Sequence, residues 1–207
     1  MTHQYRVRSR TERFATSIFR IITDEVVMPD GRCVERDSMV HIGAAGVVAL
    51  DDADRVVLVC QYRHALGRPI WELPAGLLDV DGEPPHRTAV RELAEEADLR
   101  AARWDLLADA HTSPGVSNEL IRIFLARDLS PVPDGERHER THEESTMTVQ
   151  LVDLDEAVGM ALSGEITNAA CLVGVLGAAQ SRARGWSTLR PVDAPLPRAT
   201  PSEVGGA

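Results

Sequence analysis

The segment Arg91-Glu92-Leu93-Ala94-Glu95-Glu96 constrains the fold of this chain more than any other, because its residues sort onto the faces of a helix. At about 100° per residue, Val90, Leu93, Ala94 and Ala97 share one stripe, while Glu92, Glu95 and Glu96 project from the opposite face. The expectation is a helix anchored to a core and presenting a carboxylate patch. Such a patch costs stability: Glu92 and Glu96 are like charges at i,i+4, a pairing that destabilises isolated helices by roughly 0.2–0.5 kcal/mol. Arg91 reaches Glu95 at i+4, but one guanidinium cannot neutralise three carboxylates. Hard oxygen ligands converging on one spot suit Mg²⁺ or Mn²⁺. Taken alone, the cluster is equally compatible with a solvated acidic helix face, in a chain whose formal net charge is −10.

The flanking residues separate these alternatives. From Gly76 to Leu99 the sequence resembles the Nudix box, a Gly and a Glu followed by Arg-Glu-apolar-any-Glu-Glu and then a Gly and an apolar residue. Glu83, Arg91, Glu92, Leu93, Glu95, Glu96 and Leu99 match it at the family's spacing. There are two departures: six residues rather than five lie between Gly76 and Glu83, and Asp98 stands where the pattern has Gly. The first lengthens a loop, which is cheap. The second replaces a helix-terminating Gly by a residue that enters the left-handed region more often than most. The likeness extends to the ADP-ribose pyrophosphatase branch of the family through Gln61-Tyr62-Arg63, Trp71-Glu72-Leu73-Pro74-Ala75-Gly76, Ser113-Pro114-Gly115 and His142-Glu143-Glu144. Pro114 lies sixteen residues after Asp98, a family marker for ADP-ribose. The resemblance spans roughly residues 14 to 180.

This resemblance implies a diphosphate hydrolase releasing AMP and ribose 5-phosphate. Glu92, Glu96 and the backbone carbonyl of Ala75 would hold Mg²⁺, or Mn²⁺, with Glu95 sharing a second ion. Glu144 would be the general base, with Glu143 as the rival, and Arg91 would orient the carboxylates. Arg63, Glu72, Leu77, Pro114 and Glu119 fall at substrate-contacting positions; for Arg63, Glu119 and Leu77 the bland alternatives are a surface Arg, a surface Glu and a core Leu. Glu83 reads equally as a helix-start carboxylate beside Pro84 and Pro85. Branch members are homodimers joined through the amino-terminal hairpin, where Phe14, Ile18 and Phe19 are apolar; the same residues could pack within one chain. Other readings are a Nudix pyrophosphatase for another nucleoside diphosphate derivative, such as a nucleotide sugar or a dinucleotide, and a Nudix-like module that senses a nucleotide without turnover.

Composition removes several classes of function. The acidic balance argues against nucleic acid as a partner, since phosphate-backbone affinity comes from clustered Lys and Arg. All 22 basic residues are Arg, so chemistry that needs a Lys, such as Walker-A phosphate binding or Schiff-base formation, is excluded. Any phosphate must be met by Arg, backbone amides and metal. Three widely spaced cysteines, Cys33, Cys60 and Cys171, read as buried thiols in a reducing compartment. With no apolar leader and no membrane-length apolar run, the expected location is the cytoplasm.

Along the chain the pattern predicts an α+β fold, a Nudix-type α/β/α sandwich with a mixed sheet and a small amino-terminal β-hairpin subdomain. The expected boundaries are residues 1–41 for the β-rich dimerisation unit, 42–184 for the catalytic domain and 185–207 for a Pro-rich tail that wraps or is disordered. Apolar runs at 14–29 and 33–41, and again at 44–50 and 55–62, read as two hairpins. Further strands are expected near Trp104–Ala110, Leu120–Ala126 and Met147–Val152, with helices over Leu154–Ser163 and from about Thr167 to Arg184. Residues 138–142, His-Glu-Arg-Thr-His, match the H-E-x-x-H zinc signature formally. Charged neighbours and the preceding Pro133-Asp134-Gly135 argue against the helix that signature needs, so the match is read as a decoy.

Overall fold

Every residue of the run Ala44–Ala49 is buried, and it contains no polar side chain. A strand buried on both faces needs a packed layer on each side. The computed structural model, which describes residues 5–141 and 145–197, supplies both layers. In chain order its elements are β1 (Arg6–Ala15), β2 (Phe19–Val27), β3 (Cys33–His41), β4 (Ala44–Ala49), β5 (Arg55–Arg63), β6 (Arg68–Glu72) and β7 (Ala75–Leu77). There follow α1 (Pro85–Ala97), β8 (Leu99–His111), β9 (Leu120–Pro131), β10 (Thr148–Asp153), α2 (Leu154–Ser163) and α3 (Ala169–Ala183).

Side chains alternate across β4. Ala45, Val47 and Ala49 share a core with Ala89, Leu93 and Ala97 of α1 and with Phe124 of β9. Val48 joins Ile121, Ile123 and Leu125 of β9 in a second core with Leu154, Cys171, Val175 and Ala178 of α2 and α3. The central sheet therefore lies between α1 on one face and α2 with α3 on the other. Its strand order is β7-β4-β9-β8, in which β4 and β9 are parallel and the outer pairs antiparallel. A second sheet, β10-β5-β6, is antiparallel throughout. The α+β sandwich with a mixed sheet is as the sequence predicts. Helix α3 approaches the sheet at Gly174, where a Cβ would stand 2.5 Å from Leu73 and 2.9 Å from Val48.

Several local expectations are corrected. The turn between β4 and β5 forms, with the Asp51 N–H donating to the Arg55 carbonyl at 3.0 Å and a single bridge between Leu50 and Val56. The two strands then part into different sheets, because both edges of β4 are taken by β7 and β9. The amino-terminal hairpin forms as β2 and β3, and β1 adds a third antiparallel strand that the sequence pattern does not show, giving the sheet β1-β2-β3. The break falls at Thr16, whose hydroxyl accepts the N–H groups of Ile18 and Phe19 at 3.1 Å. The tail wraps as far as it is described: Arg190 and Leu106 exchange backbone hydrogen bonds of 2.8 and 3.0 Å. Arg190 also joins Arg122 on Asp109, each donating to one carboxylate oxygen at 2.8 Å. Of the three free thiols, Cys171 is buried and Cys60 half-buried, whereas Cys33 is exposed at the start of β3. No helix among the described residues is long and apolar enough to cross a membrane.

Candidate active site

Helix α1 is framed by its end residues. Pro84 is extended at the N-cap and Pro85 opens the first turn, where its missing N–H costs nothing. Glu83 accepts a 2.9 Å hydrogen bond from the Thr88 hydroxyl, so it braces the first turn. At the other end Asp98 adopts φ 54° and ψ 33°, and its N–H donates to the Leu93 carbonyl. Asp98 thus performs the left-handed termination that the family assigns to Gly.

The carboxylates do not all lie opposite the core, as helical periodicity alone implied. The buried face comprises Thr88, Ala89, Glu92, Leu93, Glu96 and Ala97, while Val90 and Ala94 are only half-buried. Glu92 is 9% and Glu96 4% exposed; Glu95 is half-buried. Strand β7 is the cause, because it packs along this edge of the helix. The Ala75 N–H donates to Glu96 Oε2 at 2.8 Å. A Cβ on Gly76 would stand 1.9 Å from Glu92 Oε1, so only glycine permits the carboxylate its place.

Arg91 binds this cluster together. It donates to Glu92 at 2.6 Å, to Glu95 at 3.2 Å and to Glu83 at 3.4 Å. Partial burial would lower its pKa, but the charges of Glu92, Glu95 and Glu83 outweigh that and raise it above the usual arginine value. Its Nε is buried without a hydrogen-bond partner among the described residues. Four carboxylates on one guanidinium, those of Glu83, Glu92, Glu95 and, at 3.8 Å, Asp79, with Glu96 alongside, leave an excess of negative charge and an all-oxygen donor set, which fits a hard divalent cation. Among the described residues, no three His, Cys, Asp or Glu side chains are gathered closely enough to hold an ion as they stand.

On the far side of β7 opens a cleft of about 520 Å³, lined by Arg63, Glu72, Ala75, Gly76, Leu77 and Glu119 among others. Four of the five residues expected at the substrate therefore meet here. Arg63 is clamped by the buried Glu72 through Nε–Oε1 and Nη2–Oε2 contacts of 2.8 and 2.5 Å. Glu72 thereby orients a planar cation along the cleft wall. Glu119 accepts a short hydrogen bond from the Thr112 hydroxyl, and its N–H donates to Ser117 Oγ at 3.0 Å. Pro114 is not in this group; it lines a neighbouring cavity of about 530 Å³ with His111, Ser117 and Asn118.

Sequence reasoning missed Thr112 and the amino-terminal end of α3. Asn168 caps that helix by accepting the Cys171 N–H at 2.9 Å, and Asn168, Ala169 and Ala170 line the cleft. An Asn before an apolar helical run was the available signal, and a helix N-terminus favours anionic groups. Glu143, Glu144 and His142 lie outside the described residues. Residues 137–141, which carry the first His of the zinc-like match, form no helix.

This fold and this helix–strand arrangement are those of a Nudix protein: the family model described as NUDIX domain matches residues 40–171, and the chain belongs to that family. Within it, the chain is 44% identical over 191 residues to the ADP-ribose pyrophosphatase of Mycobacterium tuberculosis, covering 92% of this chain and 90% of that one. It is 32% identical over 161 residues to the ADP-ribose pyrophosphatase of Bacillus subtilis, covering 78% and 85% respectively. Among solved structures, an ADP compounds hydrolase superposes with a TM-score of 0.76 at 16% identity, covering 91% of this chain and 98% of that one, a likeness of fold.

Proposed function

We propose that this protein hydrolyses the diphosphate of ADP-ribose to AMP and ribose 5-phosphate, using Mg²⁺ or Mn²⁺ held by Glu92, Glu96 and the Ala75 carbonyl, with Glu95 sharing a second ion. The observation that carries this reading is the seating of Glu92 and Glu96 directly behind the Ala75–Gly76 segment that lines the cleft. When bound, divalent ions supply the positive charge that lets a nucleophile approach the negative oxygens of a diphosphate. Arg91 fixes the carboxylates and stays off the substrate. Arg63, held by Glu72, contacts ADP-ribose from the cleft wall, together with Glu119 and the backbone at Leu77. Glu144, with Glu143 as the competing residue, takes the proton from the attacking water. The two relatives named as ADP-ribose pyrophosphatases support the choice of substrate.

A broader specificity, for another nucleoside diphosphate derivative, is favoured by one observation: Pro114 lines the adjoining cavity and not the cleft. We assign catalysis to residues 42–184 and homodimerisation to 1–41, whose Tyr5, Phe14 and Ile18 are 61%, 57% and 38% exposed. The test is incubation with ADP-ribose and Mg²⁺ while AMP is followed. Metal-dependent AMP release that disappears in Glu96→Gln is the expected result. Folded wild-type protein that releases no AMP would overturn the substrate, and turnover of a nucleotide sugar in its place would select the broader reading.

A further inference from the structure

The residue that breaks the family pattern is also the residue that holds the loop after β9. Asp98 accepts a 2.6 Å hydrogen bond from Arg140 Nη2, and the carbonyl of Asp98 accepts the Val132 N–H at 2.8 Å. Arg140 Nε donates in turn to the backbone carbonyl of Glu95 at 3.1 Å. That carbonyl belongs to the last turn of α1, where carbonyl groups lack intrahelical partners and a cation is favourable. Both side chains of the pair are about three-quarters buried, at 23% and 27% exposure. A glycine at position 98 could terminate the helix but could not make the ion pair.

Nearer its start the same loop has one pair to β8 and one within itself. Arg100 meets Glu136 at 2.5 Å, and Arg137 meets Asp134 at 2.9 Å, but these side chains are largely exposed and within reach of solvent screening. Arg140 is the last described tether before residues 142–144 and the only one of these three that engages α1.

We propose that Arg140, clamped on Asp98 and on the Glu95 carbonyl, is a positioning residue for hydrolysis. It fixes the chain that leads to the proposed base against the helix that carries the proposed metal ligands, and it acts through both without touching substrate. A misplacement of about 1 Å at such a distance from the chemistry costs up to roughly 100-fold in rate. The clamp therefore governs kcat and leaves KM largely untouched. This inference rests on the reading given under Proposed function.

Asp98→Gly gives a clean test, because glycine keeps the left-handed termination while deleting the carboxylate half of the clamp and leaving the Glu95 carbonyl contact. Arg140→Gln deletes it from the other side, and Arg140→Lys keeps a charge within reach of Asp98. Expected are kcat losses of roughly tenfold or more in Asp98→Gly and Arg140→Gln, with KM within about threefold and partial recovery in Arg140→Lys. The double variant Asp98→Gly/Arg140→Gln should be no worse than Arg140→Gln alone, which already removes both contacts. Single variants at wild-type kcat, or losses that multiply in the double variant, would overturn the proposal. Amide hydrogen exchange over residues 133–141 reads the clamp without any substrate. Faster exchange in both single variants, with no further gain in the double over Arg140→Gln, supports it; unchanged exchange overturns it. Wild-type protein inactive on ADP-ribose would sink the substrate assignment instead, and the exchange measurement would still decide the clamp.

Discussion

The α1–β7 region and the amino-terminal sheet use the same residue types, Arg with Asp and Glu, in opposite ways. Around α1 the charges are drawn in: Glu92 and Glu96 are buried, and Arg91 contacts Glu83, Glu92 and Glu95 at once. In β1 all residues but Val7 are exposed, and pairs such as Arg8–Glu25 and Arg10–Asp24 lie across neighbouring strands on a face with little core beneath it. Of the 28 residues in its three strands, only Ile22 and Thr23 are buried. The first arrangement costs desolvation and is stabilised by the packing around it, so geometry there is fixed. The second costs little and fixes little, and it leaves Phe14 and Ile18 exposed to another surface.

If that contrast holds, the largest effect belongs to Gly76→Ala. The added Cβ collides with the Glu92 carboxylate, and hydrolysis should fall roughly 100-fold in steady-state assays. Near-normal turnover would mean that the buried carboxylate can move aside and that the region is softer than its packing implies. Next comes Gly174→Val, which overpacks α3 against Leu73 and Val48 and should destabilise by about 1–3 kcal/mol in urea unfolding. Its activity at low temperature should be unaffected, separating core packing from site geometry.

The thiols sharpen the comparison further. Burial pushes the Cys171 thiol up to about 12, whereas Cys33 is exposed in the amino-terminal sheet. A maleimide at pH 8 should modify Cys33 at once and Cys171 only on unfolding, as mass spectrometry would read. The linkage has a definite sign: the folded state keeps the Cys171 proton more tightly than the unfolded state. Its contribution is intact below the unfolded thiol pKa and is lost as pH rises from there toward about 12. Cys171→Ala should flatten part of the alkaline loss of stability in the wild type. Smallest of all is Arg8→Ala, which should leave the urea midpoint nearly unchanged, because its 3.4 Å contact with Glu25 lies between solvent-exposed side chains. A larger loss would show that the exposed sheet is held as tightly as the site.

What was legible in the sequence was local. The spacing from Glu83 to Leu99 located α1, the termination at Asp98 and the reach of Arg91 to Glu95, because all three depend on residues a turn or two apart. The burial of Glu92 and Glu96 was not legible, since it comes from β7, a strand of three residues that pairs with β4 and packs on α1. Likewise β1, with its alternation of Arg, Ser, Thr and Glu, carries no core pattern, and its strand exists because β2 offers an edge. The Arg63–Glu72 clamp joins neighbouring strands whose pairing follows from an interrupted hairpin, so each residue was named but their contact was not. Arg140 sat inside a zinc-like match that drew attention to its histidines.

Asp109 gives the order of chain emergence a structural meaning. Its carboxylate is buried in β8 beside Arg122 of the neighbouring strand, and its second oxygen takes a hydrogen bond from Arg190, near the end of the described chain. Synthesis delivers Arg190 long after the two strands, so a nascent chain holds this acid with one of its two partners until the tail arrives. A transcript cut short before Arg190 would encode every residue of the cleft and yet leave the sheet beneath it unfinished.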